Sequence, residues 1–174
     1  MAHQLPIETE VKLRIPSTES LRPLLTALGF APMEPMQAEE SVLWDRDGEL
    51  ISKGSALRLR RYGGRSLLTW KGPQTPDPAL KIRPEIQTII SDPAAMEGIL
   101  TALGYAPVFR MSKRRATFQR DGLEACLDET PFGSYLELEG DPQSIRLAME
   151  HLGLDASHIE PRSYAALFQA HGLA

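Results

Sequence analysis

Ile7-Glu8-Thr9-Glu10-Val11-Lys12-Leu13-Arg14 alternates ionised side chains with apolar or neutral ones. An extended backbone turns successive side chains to opposite faces, so Glu8, Glu10, Lys12 and Arg14 share one side and Ile7, Thr9, Val11 and Leu13 the other. By itself this describes a surface strand whose charged side faces water. The same alternation returns later in the chain. Leu57-Arg58-Leu59-Arg60, Leu68-Thr69-Trp70-Lys71, Lys81-Ile82-Arg83-Pro84-Glu85-Ile86-Gln87, Lys113-Arg114-Arg115, Leu127-Asp128 and Leu136-Glu137-Leu138-Glu139 each set cations or carboxylates on alternate positions. Either the apolar faces surround an ordinary core, or the charged faces surround a polar cavity that helices cover from outside.

Composition narrows the choice. A chain of 174 residues suffices for one domain, 1–174, with a real core. Its 19 Lys and Arg against 23 Asp and Glu leave a net charge of −4, which argues against a nucleic-acid partner bound by global charge. An anion site must therefore be a local concentration of cations. Cys126 is the single cysteine, which excludes a disulfide framework and a cysteine zinc cluster and reads as a packed thiol. His3, His151, His158 and His171 show no ligand spacing. With no membrane-length apolar run and no signal peptide in Met1-Ala2-His3-Gln4-Leu5-Pro6, the expectation is a cytoplasmic protein with no membrane partner.

Ser17 or Thr18 can cap a helix carrying Leu21, Leu24, Leu25 and Leu28, which Gly29 stops. Residues 36–46 read as a strand, and strands 56–62 and 66–71 pair across Gly63-Gly64. Pro73, Pro76 and Pro78 mark a loop, either a lip over a site or a plain connection. Asp92-Pro93 and Asp141-Pro142 open two further helices, with stripes Met96, Ile99, Leu100, Leu103 and Ile145, Ala148, Met149, Leu152, and a closing helix falls near 162–171. Residues 7–32 align without a gap on 82–107, and Arg46-Asp47-Gly48 answers Arg120-Asp121-Gly122. Two related strand-helix-strand halves closing into one barrel follow from that repeat. The helical stripes need an apolar surface to cover, which favours charged faces turned inward. Ions so buried must be hydrated or occupied, because desolvating an unpaired charge costs several kcal/mol. Arginine and lysine suit phosphate oxygens, and clustered carboxylates suit Mg²⁺ or Mn²⁺.

Glu8-x-Glu10-x-Lys12 resembles the ExExK signature of the CYTH superfamily, the triphosphate tunnel metalloenzymes, which include class IV adenylyl cyclases, thiamine triphosphatases and inorganic triphosphatases. The ordered set Arg58-x-Arg60, Lys71, Lys81-x-Arg83-x-Glu85, Lys113-x-Arg115, Asp128 and Glu137-x-Glu139 extends the likeness over nearly the whole chain, and Ser163-Tyr164 resembles a further family element. The resemblance implies an α+β fold, an eight-stranded antiparallel barrel with a charged interior and helices outside, in the form of a minimal enzyme without an appended helical domain. It also implies roles. Glu8, Glu10, Asp128, Glu137 and Glu139 would hold one or two Mg²⁺ or Mn²⁺ ions, Glu139 more directly than Glu137. Arg58, Arg60, Lys71, Lys81, Arg83, Lys113 and Arg115 would grip phosphate oxygens, Lys12 and Glu10 would act at the reacting phosphate, and Glu85 would organise neighbouring cations. The expected substrate is a small-molecule triphosphate. Hydrolysis of its terminal phosphate comes first, because triphosphate recognition is written in these residues and adenine recognition is not. Cyclisation of ATP comes second, and a non-catalytic polyphosphate-binding module third.

Overall fold

A computed structural model describes residues 5–173. Ala174 and the start of the chain, with His3, lie outside the described residues. The strands are β1 (Ile7–Ile15), β2 (Ala31–Asp45), β3 (Ala56–Tyr62), β4 (Arg65–Lys71), β5 (Lys81–Ile90), β6 (Ala106–Arg120), β7 (Leu123–Thr130) and β8 (Gly133–Glu139). The helices are α1 (Thr18–Ala27), α2 (Glu49–Ser52), α3 (Pro93–Ala102), α4 (Pro142–His151) and α5 (Tyr164–Ala170). All eight strands pair antiparallel into a closed barrel in the order β1-β5-β4-β3-β2-β6-β7-β8.

Local chemistry sets the element ends. The Ser17 hydroxyl accepts from Ser20 N–H, and the Asp92 and Asp141 carboxylates accept from the first turns of α3 and α4. Gly63 and Gly64 both take positive φ, 59° and 72°, as a two-residue turn between β3 and β4 requires. The repeat is structural as well. The α1 and β2 ranges of the first half return as α3 and β6 in the second, and Asp47 and Asp121 hold matching φ of 52° and 49°. The halves clasp each other reciprocally: Arg120 lies 4.9 Å over the Phe30 ring and Arg46 lies 5.4 Å over Tyr105. Exchanging β1 with β5, β2 with β6, β3 with β7 and β4 with β8 maps the ring onto itself, so a pseudo-two-fold axis passes between β1 and β5 and between β2 and β6.

The apolar core lies outside the barrel. Val11, Leu13, Leu127, Leu136 and Leu138 turn outward from β1, β7 and β8 to meet Leu21 and Leu25 of α1 and Ile145 and Ala148 of α4. Each fully buried leucine stabilises the fold by roughly 1.5–3 kcal/mol, so cohesion resides on the outer wall and the bore is free to be polar. Two expected stripes are narrower than their sequences suggest. Leu24 in α1, and Ile99 and Leu103 at α3, stay exposed, because a short helix crossing a curved wall touches it along one line. The Pro73–Pro78 loop is a tied connection: Thr75 N–H donates to the Ile82 carbonyl, Asp77 caps two backbone amides, and Leu80 is buried in the core. Strand β2 begins five residues before its expected start. Among the described residues no helix is long and apolar enough to cross a membrane.

Candidate functional site

Strand register gathers the charged faces. Glu8 sits opposite Arg83 and Glu10 opposite Lys81 on β5, while on the other side Glu10 meets Glu139 and Lys12 meets Glu137 on β8. Together with Arg58 and Arg60 of β3, Lys71 of β4, Glu85 of β5 and Lys113 and Arg115 of β6, these side chains line one cavity of about 720 Å³. Arg14 leaves the bore and pairs with Glu160, and Arg114 turns outward to Glu129, 2.8 Å away.

One wall of the bore is a closed ionic lattice. Asp128, fully buried, accepts from Lys113 Nζ at 2.8 Å, from Arg115 Nε at 2.7 Å and Nη2 at 2.6 Å, and from the Tyr164 hydroxyl. Glu137 contacts Arg115 and lies 3.4 Å from Lys12 Nζ. Burial alone would raise the Glu137 pKa, but Lys113, Arg115, Lys12 and Lys81 outweigh it and hold the group well below the usual carboxylate range. Glu39 behaves in the same way: Lys113, Arg115, Arg58 and Arg60 overcome its burial and bring it to about 2. Lys12 responds in the opposite sense, since desolvation lowers its ammonium to about 8 against the favourable charge of Glu137.

A second set is more loosely matched. Lys71 Nζ bridges Glu8 and Glu85, each at 2.6 Å, and Arg83 Nε reaches Glu8 at 3.2 Å. Among the described residues Glu10 has only Lys81 at 3.5 Å and Arg83 at 3.9 Å. Some groups go unmatched. Arg58 and Arg60 line the cavity with buried Nε–H groups that have no hydrogen-bond partner among the described residues, where Arg60 meets Gln87 and approaches Glu39 at 3.6 Å. Glu139 makes no ion pair among the described residues. Its side chain is solvent-exposed at the end of β8, yet the desolvation that remains, followed by the charges of Glu8 and Glu124, pushes its pKa up to about 7. Water reaching it through the barrel mouth screens part of that push.

Residues 6–164 match the CYTH domain family. The chain belongs to that family. A relative described as a putative adenylate cyclase from Methanocaldococcus jannaschii is 31% identical to this CYTH domain over 134 residues, 76% of each chain. Among solved structures, one from Vibrio parahaemolyticus with the same description superposes with a TM-score of 0.83 at 20% identity, covering 95% of this chain and 99% of that one. A putative adenylyl cyclase from Hippeastrum, described as having a dominant triphosphatase activity, gives 0.68 at 21%, covering 94% and 96%. These structural likenesses show the shared tunnel fold.

Within this CYTH domain, the expected site residues Glu8, Glu10, Lys12, Arg58, Arg60, Lys71, Lys81, Arg83, Glu85, Lys113, Arg115, Glu137 and Glu139 all line the cavity, whereas Asp128 lies behind it with both oxygens engaged. Among the described residues no three His, Cys, Asp or Glu side chains converge as a ready-made metal cage. The structure adds residues that the sequence did not single out. Glu39 is one; only its register opposite Lys113 separates it from its neighbour Glu40, which turns to solvent. Glu124 is another, brought opposite Glu139 by the β7–β8 pairing. The same cavity is also lined by Leu43, Trp44, Leu57, Val108, Phe109 and Met111, with Ala165 and Gln169 of α5, which give it an apolar compartment. Those residues come from three strands and a helix, so no single stretch announces the compartment. Cys126 faces the bore as an inert thiol, its pKa raised well above the ordinary value by burial.

Proposed function

We propose that this CYTH domain is a divalent-metal-dependent enzyme that binds an organic triphosphate with its phosphates in the bore and hydrolyses the terminal one. The observation that carries the reading is the pair Arg58 and Arg60, guanidiniums lining the cavity whose Nε–H donors have no partner among the described residues. A buried unsatisfied donor is costly, and phosphate oxygens are the acceptors for which the arginine fork is built. Lys71, Lys81, Arg83, Lys113 and Arg115 surround the same space, so a chain carrying several negative charges meets a cation at each step. The apolar compartment supports an organic head group over inorganic triphosphate.

The residues present fit Mg²⁺ or Mn²⁺. Glu139, without an ion pair among the described residues and opposite both Glu10 and Glu124, is an excess of negative charge that a divalent cation relieves. Glu10 and Glu139, with Glu8 beside them, would hold the ion. Asp128 and Glu137, grouped with the ligands on sequence alone, are assigned instead to holding Lys113, Arg115 and Lys12 in place. When bound, the metal supplies charge neutralisation on the phosphates and a lowered pKa for attacking water. The chain itself orients the phosphates with Arg58, Arg60 and Lys113. Lys12 presents an ammonium poised near 8 where negative charge moves during transfer.

A second reading, cyclisation of ATP to cyclic AMP and pyrophosphate, is favoured by the same compartment, which has room for a nucleoside, and by the description of the Methanocaldococcus jannaschii relative. The test is an assay panel of thiamine triphosphate, ATP and inorganic triphosphate with Mg²⁺ or Mn²⁺, reading free phosphate and cyclic AMP. Phosphate release faster from an organic triphosphate supports the first reading, and cyclic AMP with pyrophosphate supports the second. Tight binding without turnover would leave a polyphosphate-binding module and sink both.

A further inference from the structure

The segment after α4 makes contacts that the barrel strands do not explain. From Ile159 to Tyr164 the chain runs back along the upper part of β1, where Ile159 bridges Leu13 and the Glu160 N–H donates to the Lys12 carbonyl. Glu160, nearly fully buried, is clamped by Arg162 and by Arg14, and hydrogen bonds from Arg162 bring its pKa to about 2. That clamp fixes the backbone at Arg162. Its carbonyl accepts from Lys12 Nζ at 3.0 Å and from Lys81 Nζ at 3.3 Å, two cations from different strands of the bore.

Two residues on, the buried Tyr164 ring receives two ammoniums at once, with Lys12 Nζ 3.9 Å and Lys113 Nζ 3.8 Å from its centroid. Its hydroxyl donates to Asp128, the carboxylate that also grips Lys113 and Arg115. Two neighbouring ammoniums repel, and a desolvated aromatic face is one of the few uncharged groups that attracts both. A carboxylate there would neutralise them and spoil an anion site; an aliphatic side chain would let them move apart.

We propose that Tyr164 is a positioning residue for the triphosphate site: its ring holds the ammoniums of Lys12 and Lys113 side by side toward the bore while leaving their positive charge available to phosphate. The C-terminal segment thereby becomes part of the site rather than a packing strand. The inference rests on the triphosphate reading above and adds to it the residue that sets the spacing of two of its cations.

The experiment compares Tyr164→Phe, Tyr164→Leu and a protein carrying 3,4,5-trifluorophenylalanine at position 164, which keeps the ring's shape while weakening the negative potential of its face. Binding of inorganic triphosphate is measured by titration calorimetry, and thermal unfolding is followed in parallel. The phenylalanine form is expected to bind within about threefold of the wild type, and the trifluorinated form on the order of tenfold more weakly than the phenylalanine form, at similar thermal stability. The leucine form should lose at least as much, and less when Lys113 has already been changed to Met, as two groups acting together require. Equal binding by the phenylalanine and trifluorinated forms would reduce Tyr164 to packing and overturn the inference alone. No binding by the wild-type protein would overturn the triphosphate reading and the inference with it.

Discussion

Glu137 and Glu139 stand two residues apart on the same strand and the same face, yet their acidities move in opposite directions. Glu137 lies among Lys12, Lys113 and Arg115 and is held well below the carboxylate range, whereas Glu139 lies across from Glu10 and Glu124 and is pushed up to about 7. The difference belongs to their neighbours. One wall of the bore is a finished lattice in which each acid already has its cations; the other is an incomplete site, with acid facing acid. The finished wall holds cations in position for an anionic ligand, and the incomplete one is where a further cation would complete the balance.

Breaking the finished wall should have the largest effect. Asp128→Ala leaves Lys113 and Arg115 buried without their shared counter-ion, and removing one partner of such a lattice costs about 3–5 kcal/mol. Urea denaturation should show that loss; a change within experimental error would mean the lattice does not hold the barrel together. The incomplete wall should respond in the reverse way. Glu139→Gln removes an acid that repels its neighbours, so the metal-free protein should remain at least as stable at pH 8, while triphosphate turnover with Mg²⁺ falls on the order of 10²-fold. Full activity in that variant would remove Glu139 from the site.

The smallest effect is a pH dependence that sharpens the same contrast. Because the folded-state pKa of Glu139 is raised above its unfolded value, its contribution to stability is complete below pH 4.5 and is lost as the pH rises through about 7. Without metal, wild type and Glu139→Gln should therefore melt together near pH 4.5, and the variant should melt higher by pH 8. Adding Mg²⁺ at pH 8 should raise the wild type more than the variant, since the ion binds the carboxylate that has already lost its proton. Thermal melts across that range, with and without Mg²⁺, read the difference directly; a gap that stays constant with pH would show that Glu139 ionises normally.

Much of this was legible before any coordinates. Strand alternation named almost every cation of the bore, because period two is a local property of extended chain and needs no partner to be read. The gapless match of residues 7–32 to 82–107 gave the two halves for the same reason. Glu39 and Glu124 were not legible: each sits in a strand where a nearby acid looks equivalent, and only pairing with Lys113 and with Glu139 places them inside. The sequence groups Asp128 with the metal ligands, and its hydrogen-bond partners could not be read from its position alone. Its oxygens accept from Lys113 and Arg115 across the β6–β7 pairing and from Tyr164 of α5, which only the fold brings near.

The sequence by itself determined which side chains are charged, which face of each strand they occupy, where helices start and stop, and the family to which the chain belongs. Tertiary structure alone decided which acids meet cations and which meet other acids, how Tyr164 comes to lie against two lysines, and where apolar side chains from separate strands join into a compartment. The physical reason is range. Backbone periodicity and capping act over a few residues, whereas the charge state of a buried carboxylate depends on groups within several ångströms in space, which closure of the barrel collects from all parts of the chain.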